Sequence, residues 1–229
     1  MNISIITPVL NEEQQIVSFL EAMAGLSVHE HILVDGGSTD RTRQLIERYP
    51  VRLLGAAPGR GGQQNAGAAT ATGDSLLFLH CDSRLPGDFQ YYVNKVLQRP
   101  HVAAGAFKLR IDHPGPGYRV IEKGVNLRSR LLSLPYGDQA IFMKKAVFQE
   151  IGGFPDQPIL EEIPLLRRLR RHGKIALAPV SVTTSARRWQ QLGILRTTLI
   201  NQLMLAGMLA GVSTRRLAKF YYRDPLAGG

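Results

Sequence analysis

The sequence predicts an α/β fold: a mainly parallel central sheet with helices on both faces, followed by C-terminal helices. Three observations predict it. Short apolar runs alternate with helix-patterned segments through the first hundred residues, as strands joined by crossover helices do. Residues 75–79 are almost wholly apolar, as a strand covered on both faces must be. The 229 residues are 44% hydrophobic and 20% charged, which is enough apolar surface to offset the ordering entropy of one large domain or two small ones.

Taken in order, residues 3–7 read as the first strand, stopped by Pro8, whose ring removes a ladder donor. Residues 11–24 follow as a helix with Ile16, Phe19, Leu20 and Met23 on one face. Residues 32–34 are a second strand and 35–40 a loop, where Ser38 or Asp40 can cap a helix running to Tyr49. Strands over 51–54 and 75–79 flank an alanine-rich helix over 63–72. Further on, 102–111 is a strand pair or one long strand, 118–132 a helix, and 140–143 a short strand before a helix ending at Gly152-Gly153. A strongly basic helix over 160–172 is closed by Gly173, 174–177 returns as a strand, and 190–209 and 214–222 are helices. No internal repeat, low-complexity tract or long linker appears. The expected division is an α/β domain over 1–185 and a basic helical extension over 186–229, packed on it, at a membrane surface or at a subunit interface.

The net charge of +10 is uneven. Residues 1–100 carry 8 Lys/Arg against 10 Asp/Glu, whereas 163–229 carry 12 against the single acid Asp224. Such a segment suits a phosphate-bearing substrate, an acidic membrane face or nucleic acid, or is a solvated basic surface. Cys81 is the one cysteine, so no internal disulfide can form and a cytoplasmic setting is expected, with the inner face of the cell membrane as a variant. Collagen-like and coiled-coil readings fall for want of a period, and residues 1–8 have neither the basic start nor the long apolar stretch of an export signal.

Parallel sheets gather ligands beyond the carboxyl ends of their strands, which selects residues 7–12, 35–40 and 80–83. Asp82 follows the most buried strand. A carboxylate there can hold a divalent cation that grips a diphosphate, although an Asp after a strand also caps turns. His80 and Cys81 are further donors, but adjacent strand-end residues face opposite ways, and a free cysteine suits core space. Asp35 precedes Gly36-Gly37, which lets the backbone approach a planar or anionic ligand. Gly59-Arg60-Gly61-Gly62 is a flexible, cationic turn opening a helix, again suited to phosphate. It is followed by no Gly-Lys-Ser/Thr, and the first strand by no Gly-x-Gly-x-x-Gly, so ATPase and Rossmann dehydrogenase readings lose their support. Glu161 and Glu162 open the basic helix. The helix dipole favours acids there, and either could act as a general base.

In this order, Ile5-Thr7-Pro8-Val9-Leu10-Asn11-Glu12, Val34-Asp35-Gly36-Gly37-Ser38-Thr39-Asp40, Asn65-Ala66-Gly67, Ala71-Thr72-Gly73-Asp74, Phe78-Leu79-His80-Cys81-Asp82, Gly152-Gly153-Phe154 and Ile159-Leu160-Glu161-Glu162 resemble the family 2 glycosyltransferases of the GT-A fold. The likeness covers residues 1 to about 175. Tyr136-Gly137-Asp138-Gln139 and Ser185-Ala186-Arg187-Arg188-Trp189 look like a bacterial subgroup called selenodomain-associated transferase 2. The resemblance implies an inverting transferase that uses a nucleotide-diphosphate sugar, a UDP-sugar favoured, a hydroxyl acceptor, and Mg²⁺ or Mn²⁺. It implies that Thr7, Pro8 and Glu12 line the nucleotide pocket with Gly36, Arg60 and Asn65, and that Asp35 meets uracil or ribose. Asp82 corresponds to the last acid of the metal-binding Asp-x-Asp motif. Glu162, beside Glu161, stands where the family has its catalytic Asp. Asp138, Gln139, Arg187, Arg188 and Trp189 are implied near the diphosphate or acceptor. Three departures stand out: His80 replaces the first acid of the metal motif, Asp35 is followed by glycine where many relatives have a second acid, and the base is Glu.

Residues 197–214 form an uncharged run between Arg196 and Arg215-Arg216. It reaches the lower limit of a membrane span, but Asn201, Gln202 and Ser213 count against one. A surface-lying amphipathic helix would suit a lipid-linked acceptor; packing on the domain or in a homodimer is the other reading. A sugar-phosphate nucleotidyltransferase would carry a glycine-rich loop after the first strand, which residues 7–12 lack. Nucleic-acid binding finds no aromatic-interleaved basic face, zinc pattern or RNP motif. A catalytically silent nucleotide-sugar-binding protein stays open because of His80.

Overall fold

The computed structural model describes residues 1–223; residues 224–229, the end of the expected extension with Asp224, lie outside the described residues. Among these residues the strands are β1 (Ile3–Val9), β2 (Glu30–Asp35), β3 (Arg52–Gly55), β4 (Ser75–Phe78), β5 (Ser83–Arg84), β6 (Val102–Asp112), β7 (Phe142–Lys144) and β8 (Lys174–Ser185). They form one sheet in the order β3-β2-β1-β4-β7-β6-β8-β5. β3, β2, β1 and β4 run parallel, as do β6 and β8, while β7 and β5 are antiparallel to their neighbours. The expected mainly parallel sheet is present, and 102–111 proves to be one long strand. β8 runs far beyond the expected 177, because β6 offers it a full-length parallel partner as far as Asp112↔Ser185.

Pro8 does not stop β1. The Ile6 carbonyl accepts from Leu79 on the β4 side and the Val9 carbonyl from Gly36 on the β2 side. Residues two apart point the same way, so Pro8 faces the β4 side, where the ladder has already ended at Ile6↔Phe78. The missing N–H thus falls where pairing with β4 ends, while pairing with β2 continues to Val9↔Asp35.

The helices are α1 (Ile16–Ala24), α2 (Thr42–Ile46), α3 (Arg60–Thr70), α4 (Phe89–Leu97), α5 (Pro116–Leu132), α6 (Lys145–Glu150), α7 (Glu162–His172), α8 (Arg187–Leu192), α9 (Ile194–Leu209) and α10 (Thr214–Arg223). α1 begins five residues later than expected because Asn11 takes φ 54, a left-handed conformation that no helix continues through. Its predicted face is the buried one: Ile16, Phe19, Leu20 and Met23 pack with Ile5, Val9, Phe89 and Val93 on one side of the sheet. Full burial of such side chains contributes about 1.5–3 kcal/mol each. On the other side Ile6, Val34 and Phe78 meet Ala68 of α3 and Leu165, Leu166 and Leu169 of α7. The single helix expected over 190–209 is divided at Gly193, φ 83, a geometry that glycine adopts without penalty. Trp189 of α8 and Ile194 of α9 pack on Leu109, Ile111 and Tyr118. Met204, Leu217 and Ala218 of α9 and α10 pack on Ile159.

Candidate active site

The first two loops beyond the strand ends are tied together. Asn11 N–H donates to Ser38 Oγ at 2.9 Å, Thr39 N–H to Asn11 Oδ1 at 2.9 Å, and Glu12 N–H to Thr42 Oγ1 at 2.7 Å. Beneath them Gln63, on the first turn of α3, donates from Nε2 to the Val9 and Val34 carbonyls at 2.9 and 2.8 Å. One side chain thus joins the ends of β1 and β2 to the helix that carries Arg60.

Arg60, the first residue of α3, is the hub of the charged cluster: its cation acts on Glu12, His80, Asp138 and Glu162. Gly61 explains the closeness. A Cβ there would lie 3.0 Å from the Pro155 carbonyl oxygen and 3.5 Å from Glu161 Cβ, so the start of α3 lies directly against the loop that delivers the acid pair. That loop is held from two sides. Asn65 bonds Phe154 N and O at 2.9 Å each, while Arg168 of α7 donates to the Ile151 and Gly153 carbonyls at 2.5 and 2.6 Å. Leu160 then takes φ 56, a costly geometry for a leucine, with its carbonyl accepting from Gln157 at 2.7 Å. Glu161 and Glu162 follow, 4% and 9% exposed.

Burial, then the neighbouring Glu161 charge, pushes the Glu162 carboxyl up to about 8, with Asp138 adding to the push and Arg60 opposing it. Burial raises Asp138 to about 6, with Asp82 adding to the rise and Arg128 and Arg60 opposing it. Burial and Arg60 lower His80 to about 3, so its imidazole is neutral. Burial raises Glu12, although a hydrogen bond with Cys81 works the other way; Arg187 Nη2 stands 4.0 Å from its carboxylate.

Asp138 sits on a 3-10 turn (Gly137–Gln139) shaped by Gln139, whose amide accepts from Ser129 at 2.7 Å and donates to the Phe107 carbonyl at 3.0 Å. Around that turn four buried polar atoms have no partner in the protein: His80 Nε2, Tyr136 Oη, Asp138 Oδ1 and Arg128 Nη2. The Arg128 guanidinium stacks on the Tyr136 ring at 3.6 Å, and a Cβ on Gly137 would lie 2.8 Å from His80 Nε2. Buried polar groups are normally hydrogen-bonded, so four unpartnered ones around one turn are an unusual local concentration. Asp82 also lines a polar cleft of about 230 Å³ with Gln14, Gln15, Ser83, Thr183, Thr184 and Ser185, among others.

Several residues named from the sequence have other work. Thr7 is fully buried, with Oγ1 3.1 Å from His31 Nε2. The Asp35 carboxylate is also fully buried. It accepts from Gly37 N and Ser38 N at 3.2 Å and Ser38 Oγ at 2.5 Å, and it pairs with Arg43 at 3.4 Å, so it sets the course of the 36–38 backbone. Asn65 and Gln139 hold loops, as above. Arg188 lies over the Tyr221 ring at 4.5 Å, and Trp189 is in the α5–α9 packing. Pro8 lies at the end of β1, and Gly36 rests against Gln63. Arg60, Glu12, Asp82, Asp138, Glu161, Glu162 and Arg187 are the predicted residues whose charges act on one another. Arg128, Tyr136, Gln63 and Arg168 were missed as site residues. Tyr136 stood within a quoted motif, but nothing in the sequence brings Arg128 of α5 to it.

The resemblance stated from the sequence implies a divalent cation. Among the described residues no group of three His, Cys, Asp or Glu could hold a metal. Mg²⁺ and Mn²⁺ need no such cage, since one carboxylate plus substrate phosphates serves. Asp82, half-buried and with Oδ1 only 3.1 Å from Ser83 Oγ, fits that arrangement; His80 offers nitrogen, which these ions favour less than oxygen.

The model of glycosyl transferase family 2 matches residues 4–152, and the chain belongs to that family, with the GT-A fold. Staphylococcus aureus TarS, solved with UDP-GlcNAc, superposes with a TM-score of 0.65 at 19% identity, covering 81% of this chain and 58% of that one. Glucosyl-3-phosphoglycerate synthase from Mycobacterium tuberculosis, solved with Mn²⁺, UDP and phosphoglyceric acid, superposes at 0.60 and 21%, covering 88% and 77%. Comparison with curated proteins finds no match.

Proposed function

We propose that the protein transfers a sugar from a nucleotide-diphosphate sugar, with a UDP-sugar favoured, to an acceptor hydroxyl with inversion, and that Glu162 is the base. The observation that carries the reading is the buried Glu161-Glu162 pair held against Arg60, in one charged cluster with Asp138 and Glu12. Glu162 takes the proton from the acceptor hydroxyl as that oxygen attacks the anomeric carbon. The bond from that carbon to the diphosphate oxygen breaks on the opposite face, and its electron pair leaves with the diphosphate. Arg60 and Arg187 stand ready to offset the charge growing there. Mg²⁺ or Mn²⁺, held by Asp82 with diphosphate oxygens, would supply Lewis-acid neutralisation of the same charge. Arg128, Tyr136, His80 and Asp138 supply both donors and acceptors, the pattern that sugar hydroxyls match. The motifs of 136–139 and 185–189 support placement in the selenodomain-associated subgroup.

The test is turnover of a panel of nucleotide sugars with Mn²⁺, alongside UDP binding. Glu162→Gln keeps UDP binding and loses turnover by about 10²–10⁴-fold. Unchanged turnover moves the base to Glu161 or Asp138. UDP binding without turnover of any sugar nucleotide would favour a silent binding protein.

A further inference from the structure

Among the described residues, every exposed large hydrophobic side chain except Met1, Leu10 and Tyr91 lies on α5, α9, α10 or the turn between the last two. On α5 these include Val120, Leu127 and Leu131, and on α9 Leu195, Leu199 and Leu203, spaced four apart and 86%, 59% and 48% exposed. α9 buries only Thr197 and Met204. Its outward side is as apolar as its inward one, a pattern that solvent alone does not support.

The two helices touch: a Cβ on Gly117 of α5 would lie 2.9 Å from Ile194 of α9. The same helices carry exposed cations: Lys123 and Arg130 on α5, and Arg215, Arg216 and Lys219 on α10. The one acid of α5, Glu122, is buried and bonded to Arg119 at 2.9 Å, and α9 and α10 contain none. No helix among the described residues is long and apolar enough to cross a membrane.

We propose that this face seats the protein on an anionic lipid bilayer, with α9 lying along the surface, its leucines in the acyl boundary and the cations at the headgroups. Charge complementarity selects this occupant over a second copy of the chain, because pairing these helices with themselves would bring the exposed cations of α5 and α10 against their own copies. The inner side of the same hairpin packs Met204 and Leu217 on Ile159, with Leu160 against them, immediately before Glu161-Glu162. A docked protein therefore holds its acid pair close to whatever the bilayer carries. The docking itself does not depend on the glycosyl-transfer reading, and its test needs no turnover.

The full chain is sedimented with phosphatidylglycerol-containing vesicles and with pure phosphatidylcholine vesicles. Binding to the first, falling with added salt, and little to the second is expected. Leu199→Glu with Leu203→Glu abolishes it, and Arg215→Glu with Arg216→Glu weakens it roughly tenfold or more. These side chains are exposed, so unchanged thermal unfolding confirms that the variants fold. No binding to anionic vesicles, or binding that both variants retain, overturns the proposal. So does a dimer in sedimentation velocity that the leucine variant splits, which would assign the face to a second copy.

Discussion

Replacing Glu162 by glutamine should stabilise the protein while disabling it. In the fold this carboxyl sits 9% exposed beside Glu161, and burial with that neighbouring charge takes it from an ordinary 4.5 up to about 8. The unfolded chain releases the proton near 4.5 and the folded chain keeps it until about 8. Stability from this group is therefore complete below about pH 4.5, falls as pH rises through the window between the two values, and levels off above about 8. The slope within the window is about 1.4 kcal/mol per pH unit. Glutamine has nearly the shape of the protonated acid and does not titrate, so the variant lacks that slope. At pH 7.5 the gap is on the order of a few kcal/mol. That corresponds to a rise in Tm on the order of 5–15 °C, shrinking to nothing near pH 4.5. Scanning calorimetry of both proteins from pH 4.5 to 8.5, with turnover measured in parallel, reads it directly. A gap that does not widen with pH would mean that Glu162 is ionised in the fold, and the case for a buried, proton-bearing base would be lost.

The same shift predicts that kcat/KM rises with pH towards about 8, since the base must be unprotonated to accept the acceptor's proton; a profile flat from pH 6 to 9 speaks against Glu162. Asp82→Ala should abolish the Mn²⁺-dependent part of UDP binding in calorimetric titrations while leaving Tm within a few degrees. Gly61→Ala puts a methyl 3.0 Å from the Pro155 carbonyl, which should displace the acid-pair loop and cut turnover at least tenfold, an effect comparable to small misplacements in other sites; rates equal to the parent would refute that packing argument. Tyr136→Phe removes a buried hydroxyl with no partner in the protein. Tm should hold or rise, because leaving such a group unsatisfied costs about 1–3 kcal/mol, while KM for donor or acceptor rises several-fold.

Much of the architecture was legible in the chain because burial leaves a mark on composition. The apolar run at 75–79 could only be a strand covered on both faces, and the four apolar positions of α1 are the ones buried. The strand-end segments, where a parallel sheet leaves its loops and helix N-termini, supply Glu12 and Asp82, whose charges act in one cluster with Asp138, Glu161 and Glu162 from elsewhere in the chain. Local pattern could not say which way a side chain points once several elements compete for it. Asp35 and Thr7 lie in motif positions, yet both are fully buried, occupied by Ser38 and His31. The pairing of β6 with β8, the stacking of Arg128 on Tyr136 and the seating of Arg60 against residues 155–161 join segments remote in sequence. Composition and spacing chose the kinds of residue available for chemistry. Only the packed chain, by excluding water from some carboxyls and handing others hydrogen bonds, decided which of them hold a proton and which hold the loops in place.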